Sequence, residues 1–279
     1  ARHIEKLLGE AEAHGLWAIV RGELQVVIKA CGAQARRRTS IEQVEDEPEF
    51  SAEDLIVEED GFVLLTADGW VKRQREVKDP STTRLREGDR VLACVVGSTR
   101  AAVVFLSNYG TAYTCRIADV PATTGYGEPI QKLFRLKDGE AIVAAFSLDP
   151  RVVGDLTERE GQYPETFGFA AASDGYALCF GFEPFLEPST RGGRRFARPR
   201  KSAVIVGAAA VSGEETVIAA SQERRVLLCP VGEVNYLSGP GRGVQLIKLK
   251  PSDRLLAVRT ALSERDTLTL RTSMGGEQR

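Results

Sequence analysis

The chain has 279 residues, of which 43% are hydrophobic, and a formal net charge of −2, so it can bury a sizeable core and is not cationic throughout. That excludes a protein coated in bases but leaves room for bases gathered along one edge. No apolar run approaches the roughly 20 residues that span a bilayer, and no secretory segment opens the chain, which points to the cytoplasm.

Residues 3–31 read as helix. Ile4, Leu7, Leu8 and Ala11 recur at helical spacing, and Leu16, Ile19, Val20, Leu24, Val27 and Ile28 extend the stripe. His14-Gly15 leaves open a break into two helices, and Gly32 is placed as a C-cap. Arg36-Arg37-Arg38-Thr39 makes a basic turn before Ile41. From 42 to 60 the chain holds ten acids and no base. This stretch reads as a soluble linker, with repulsion of polyanions or competition for a basic surface as the second reading. It leads into a first strand expected near Leu55-Ile56-Val57. The expected division is a helical segment over 1–41, an acidic linker over 42–52 and a β domain over 53–279.

Beyond residue 53 the pattern is all-β. Strand-length runs at 62–65, 91–96, 103–106, 142–146, 204–206, 217–219, 226–228 and 255–258 are rich in β-branched residues and bounded by Gly, Pro, Asp or Ser. A short unit recurs through them. It reads Ala67-Asp68-Gly69-Trp70-Val71, then Asn108-Tyr109-Gly110-Thr111-Ala112, then Ser173-Asp174-Gly175-Tyr176-Ala177, then Gln222-Glu223-Arg224-Arg225-Val226. With Gly69, Gly110, Gly175 and Arg225 as the shared turn position, the steps are 41, 65 and 50 residues. Self-similarity near 40–50 residues marks a propeller-like or solenoid array, whose units are too small to bury their faces alone. The long step is assigned to a surface insertion over 150–166, and Leu268-Thr269-Leu270 opens a fifth unit.

Little in this pattern is catalytic. The five cysteines are odd in number and never form a CxxC pair, and Cys94, Cys115, Cys179 and Cys229 each sit inside an apolar strand run, which reads as small buried thiols in a reducing compartment. His3 and His14 are the only imidazoles, too few for a zinc site. There is no Walker string and no nucleophile–base pair, and no cofactor is expected. The six tyrosines, and acids such as Glu128, Glu214 and Glu215, read as packing and turn residues.

Bases gather in the loops instead. Residues 189–201 carry Arg191, Arg194, Arg195, Arg198, Arg200 and Lys201 with no acid. The second unit supplies Lys132 and Arg135, the fourth Arg242, Lys248 and Lys250, and the first Lys72, Arg73, Arg75, Arg84 and Arg86. Arginine forks bind phosphates bidentately, and glycines let backbone amides approach without a Cβ. Stacked blades carrying these loops on one curved edge would hold a bent duplex by its phosphates, without reading sequence. The alternative is a propeller whose rim meets an acidic protein.

Several strings carry a family resemblance. Asp68-Gly69-Trp70-Val71-Lys72-Arg73, the loop PATTGYGEPIQKL over 121–133, the loop LSGPGRGVQLIKL over 237–249, and Arg37-Arg38-Thr39-Ser40-Ile41 after a helix occur in one order. Together they resemble the C-terminal part of the A-type subunit of bacterial type IIA topoisomerases, topoisomerase IV more than gyrase. The resemblance implies a β-pinwheel whose blades exchange a hairpin with a neighbour and which binds and bends duplex DNA round its rim. Here it would have four complete blades and the start of a fifth. It also implies that the cleaving tyrosine, Mg2+ and ATP belong to parts of the enzyme outside this chain. The implied partners, at the bacterial nucleoid, are double-stranded DNA, the ATPase subunit of B type, and the rest of the A subunit. Gyrase is distinguished by a basic, glycine-rich box in the first blade. Here the matching loop, Pro80-Ser81-Thr82-Thr83-Arg84, has no glycine, and Gly69 to Gly88 spans 19 residues against 29 from Gly110 to Gly139. A box-like string, Arg191-Gly192-Gly193-Arg194-Arg195, occurs instead in the third unit. Gyrase-type wrapping is the alternative this disfavours.

Overall fold

A hairpin, a long loop and a returning strand form each repeat unit. The computed structural model describes residues 16–32, 56–159, 163–263, 266, 270–271 and 277–278. The chain divides into two units, Ala1–Phe50 and Ser51–Arg279. In the first, helix α1 spans Leu16–Cys31, and the Gly32 N–H still donates to the Ile28 carbonyl at 2.8 Å. The expected helix over 3–15 and the acidic linker over 42–52 lie outside the described residues.

In the second unit the first hairpin is β1 (Asp60–Thr66) and β2 (Trp70–Gln74), and β3 (Val91–Ser98) returns beside β1. The strand expected at 55–57 is absent from its described part, Ile56-Val57. That segment runs as irregular chain held by the Thr99 hydroxyl, which donates to the Val57 carbonyl at 2.7 Å. The pattern repeats with β4 (Ala102–Ser107), β5 (Thr111–Arg116), β6 (Glu128–Pro129) and β7 (Ile142–Ser147). It returns with β8 (Phe167–Ala172), β9 (Tyr176–Phe180), β10 (Arg194–Arg195) and β11 (Ile205–Val211). The fourth unit has β12 (Thr216–Ser221), β13 (Val226–Pro230), β14 (Tyr236–Leu237), β15 (Val244–Gln245) and β16 (Leu255–Ala261).

Each hairpin turns in the same way. The N–H groups of Gly69, Gly110, Gly175 and Arg224 donate back to the carbonyls of Thr66, Ser107, Ala172 and Ser221 at 3.0, 3.0, 2.9 and 3.2 Å. All four turn residues have positive φ, and Arg224 is the one that is not glycine. The shared position in the fourth unit is therefore Arg224, one residue before the Arg225 read from sequence.

The short strands leave home. The sheet orders are β3-β1-β2-β6, β10-β5-β4-β7, β11-β8-β9-β14 with β15 also on β9, and β13-β12-β16. The loop of each later unit thus crosses to complete the outer edge of the blade before it. The first unit's loop, 75–90, holds no such strand, only a 3-10 turn at Pro80–Thr82, which accounts for its shortness. The basic loops read as belonging to blades two, three and four consequently dock against blades one, two and three. At the other edge of the sheets β3 packs on β7, β7 on β11, and β11 on β16, so the returning strands are innermost and the exchanged strands peripheral.

Among the described residues, three apolar cores lie between the four blades. Val103 and Phe105 face Val63, Leu65 and Val71 in the first; Val104 and Leu106 face Ala170, Leu178 and Phe180 in the second. Phe169, Ala171 and Cys179 turn to Val217 and Ala219 in the third. Alternation along one strand feeds two cores, so central strands are apolar on both faces. Burying each such Leu or Phe stabilises the fold by roughly 1.5–3 kcal/mol. The segment after β7 is more than a surface insertion: α2 (Pro150–Val153) begins there, and Leu156 is buried in the second core. The fourth sheet has three strands among the described residues, against four in each of the first two and five in the third. A fifth hairpin follows. In it β17 (Leu270–Arg271) pairs with β18 (Glu277–Gln278), with Leu270 opposite Gln278 as Leu64 is opposite Lys72.

Candidate nucleic-acid interface

Two bases with one residue between them precede the return strand in all four units: Arg84 and Arg86, Arg135 and Lys137, Arg198 and Arg200, Lys248 and Lys250. The second of each pair opens the same tight turn. The carbonyls of Arg86, Lys137, Arg200 and Lys250 accept from the N–H groups of Asp89, Glu140, Ala203 and Asp253 at 3.1, 3.0, 2.9 and 3.0 Å. All eight side chains belong to exposed residues. Lys137 is absent from the set read from sequence, although the spacing of its three counterparts marks it.

Each basic turn is fastened to the hairpin turn of its own unit, so all four pairs leave the same end of their blades. In the first unit the Asp68 N–H donates to Asp89 Oδ1 at 3.1 Å. In the second the Ser107 hydroxyl donates to Glu140 Oε1 at 2.6 Å, and in the fourth the Glu223 N–H donates to Asp253 Oδ1 at 3.0 Å. Burial acts to raise the Asp89 carboxyl, but hydrogen bonds from Thr66, Arg90, Asp68 and Ala67 together hold it below the ordinary carboxylate range. The third unit has Ala203 at this position, and there Ser173 Oγ accepts from the Val204 N–H at 3.1 Å.

The loops arriving from the next unit meet these bases. The N–H groups of Arg135 and Arg198 donate to the carbonyls of Arg191 and Gly241, both at 2.7 Å. At the equivalent place in blade one the join is made by Lys72, whose Nζ donates to the carbonyls of Arg84 at 2.7 Å and Gly125 at 2.9 Å. Lys72 is only 1% exposed, and burial lowers its ammonium pKa. It leaves the phosphate-binding set, because a buried ammonium already spent on two carbonyls cannot reach a ligand.

The glycines of these loops also have a different task from the one expected. Gly127, Gly193 and Gly243 precede the exchanged strands, all with positive φ. A Cβ on them would meet the carbonyl oxygens of Val71 at 2.6 Å, Ala112 at 2.7 Å and Ala177 closer still. They admit one blade's backbone to another's, a packing requirement rather than an approach to phosphate.

The other predicted bases divide by surroundings. Arg73 and Arg242 are half-buried. Arg75 pairs with Glu59 at 2.9 Å, Lys132 with Glu128 at 2.9 Å and Lys250 with Glu223 at 3.2 Å, all solvent-exposed pairs of small worth. In the box-like string, the guanidiniums of Arg191, Arg194 and Arg195 donate to the carbonyls of Lys132, Pro184 and Tyr109 at 2.9, 2.6 and 3.3 Å. These contacts orient the forks while leaving the residues exposed. Lys201 is exposed beside Arg200. Four arginines lie over rings: Arg84 over Tyr126, Arg86 over Trp70, and both Arg200 and Arg242 over Tyr176, at 4.9, 4.7, 5.3 and 3.8 Å. The result is a surface of exposed cations that holds, among the described residues, neither a nucleophile–base pair nor a cluster of three potential metal ligands. Among the described residues no helix is long and apolar enough to cross a membrane.

Comparison with known proteins agrees with this architecture. The family described as "DNA gyrase C-terminal domain, beta-propeller" matches residues 102–149 and 215–261, the second and fourth units. The A subunit of DNA gyrase from Pseudomonas aeruginosa is 26% identical over 87% of this chain and 30% of its own length. The A subunit of DNA topoisomerase 4 from Escherichia coli K12 is 24% identical over 90% of this chain and 32% of its own. The chain thus spans about 30% of the length of these curated relatives. Its fold is similar to the solved C-terminal domain of DNA topoisomerase IV, with TM-score 0.69 and 16% identity over 80% of this chain and 68% of that one. It is also similar to the E. coli ParC C-terminal domain, with TM-score 0.58 and 22% identity over 72% and 79%. The resemblance read from the sequence is borne out, and with it the four-bladed propeller-like fold: the chain is similar to the C-terminal domains of the A subunits of gyrase and topoisomerase IV.

Proposed function

We propose that this relative of the C-terminal domains of topoisomerase A subunits binds duplex DNA without sequence preference and bends it along its rim, in the manner of topoisomerase IV rather than gyrase. The observation that supports the reading is the pair of bases at one turn of all four units. A duplex presents a phosphate charge about every 1.7 Å of axis, and cations repeated at one end of successive blades match such a polyanion rather than base edges. Bending 20–30 base pairs by 40–90° costs roughly 1–6 kcal/mol, which contacts spread over four blades would offset.

The distinction from gyrase rests on the first unit. Its loop 75–90 carries no exchanged strand and no glycine-rich box, so the path of the duplex would lack a fastening at the first blade. In the intact protein the module would hold DNA segments for an enzyme in which the core of the A subunit, the B-type ATPase subunit, Mg2+ and ATP supply strand passage at the nucleoid. Titration of a labelled 30-base-pair duplex tests the proposal. With about four to six phosphates neutralised, log K falls by roughly 0.9 per contact per decade of salt. Affinity that is flat between low and physiological salt overturns it. Relaxed circles closed by ligase in the presence of the protein should show little change in linking number; a large positive shift assigns gyrase-type wrapping instead.

A further inference from the structure

Trp70 and Tyr176 occupy the same position in blades one and three, directly after the turn glycine and opposite the exchanged strand, where they pair with Pro129 and Gln245. Blades two and four have Thr111 and Arg225 at that position. The base of the neighbouring turn differs in step. Where the ring is present it is arginine, Arg86 or Arg200; where the ring is absent it is lysine, Lys137 or Lys250. Tyr176 receives a second guanidinium, Arg242, from the loop that arrives from the fourth unit. Both rings are half-buried and held by their strands, with the guanidiniums of Arg86, Arg200 and Arg242 lying over them.

We propose that Trp70 and Tyr176 are positioning residues for DNA, holding Arg86, Arg200 and Arg242 as ordered phosphate forks, so that blades one and three anchor the duplex while the lysines of blades two and four follow it as mobile charges. The inference rests on the duplex-binding reading. Its physical basis is that a planar guanidinium stacks on a ring where an ammonium gains less geometry. An arginine ordered before binding also forgoes part of the entropy cost of being immobilised. Tyr176 lends order to two such forks at once.

The test uses the full chain and the same 30-base-pair duplex. Tyr176→Leu should weaken binding about three- to tenfold with unchanged net charge, and Tyr176→Phe, which keeps the ring, should bind as the parent does. In a background of Arg200→Ala and Arg242→Ala, Tyr176→Leu should cost almost nothing further, because the ring acts through those two side chains. Trp70→Leu should repeat the pattern through Arg86 and serves where a leucine at 176 lowers the folded fraction in thermal unfolding. Equal affinity of parent and both leucine variants overturns the inference while leaving duplex binding intact. So does an undiminished loss in the arginine-free background. A parent chain that fails to bind duplex at all overturns the proposed function and this inference together.

Discussion

Lys72 Nζ donates to the carbonyl oxygen of Gly125 at 2.9 Å, joining residues 53 positions apart. The same ammonium donates to the Arg84 carbonyl, so one buried charge ties the first unit's loop to the loop arriving from the second. Lys72→Met should therefore destabilise the β domain by about 2–4 kcal/mol, because two carbonyls lose a charged donor in a water-poor site. Urea unfolding measures this. The slope of DNA affinity against salt should stay as in the parent; a reduced slope would return Lys72 to the phosphate contacts.

Gly243→Ala places a Cβ against the Ala177 carbonyl at a residue with φ of +78°. Strain and steric clash act together, and a loss of roughly 2–4 kcal/mol is expected. Gly232→Ala, where a Cβ meets nothing within 4 Å, should change stability by less than about 0.5 kcal/mol. Equal melting temperatures for the two variants would contradict the packing role of the glycines that precede the exchanged strands.

Arg224 holds a left-handed turn, φ 66°, that three other units give to glycine. Arg224→Gly should stabilise the chain by about 0.5–1 kcal/mol, the left-handed penalty less the added freedom of the unfolded glycine. A lower melting temperature would show that the Arg224 side chain does more than occupy the turn.

Asp149 links the first blade to the chain beyond β7, accepting from the Ser98 N–H at 2.8 Å and from Arg151 Nη2 at 2.7 Å. The hydrogen bond from the Arg151 side chain leads the causes that hold its carboxyl at about 2. A carboxyl depressed in the folded state stabilises fully above its unfolded value near 3.9, and that contribution fades as pH falls through about 2. The parent should exceed Asp149→Asn by roughly 1–2 kcal/mol at pH 6, with the gap narrowing between about pH 4 and pH 2. A gap independent of pH would remove the charge from the explanation.

Replacing Arg191, Arg194 and Arg195 together by Ala should weaken duplex binding on every sequence tested. It should also cost about 1 kcal/mol or more of stability, since all three guanidiniums donate to carbonyls of neighbouring loops. A gel-shift titration beside thermal unfolding separates the two effects. Unchanged affinity in the folded variant would show that the string serves only to seat the exchanged strand.

The hairpins, the four-unit repeat and the concentration of bases in loops are all legible along the chain. Those features are local: alternating β-branched residues favour paired strands, and a residue with positive φ between them closes the turn at Gly69, Gly110 and Gly175. Where Glu128-Pro129, Arg194-Arg195 and Val244-Gln245 belong is settled by packing alone. Two residues carry no periodicity, and their partners lie in the preceding unit's hairpin. The burial of Lys72 was equally illegible, since Lys72-Arg73 reads as any solvated basic pair until the Gly125 loop closes over it. Lys137 stood in plain view at a recurring spacing, yet a lysine's exposure and the end of the blade it leaves are fixed by the hydrogen bond of Ser107 to Glu140, a contact across 33 residues that no local pattern encodes.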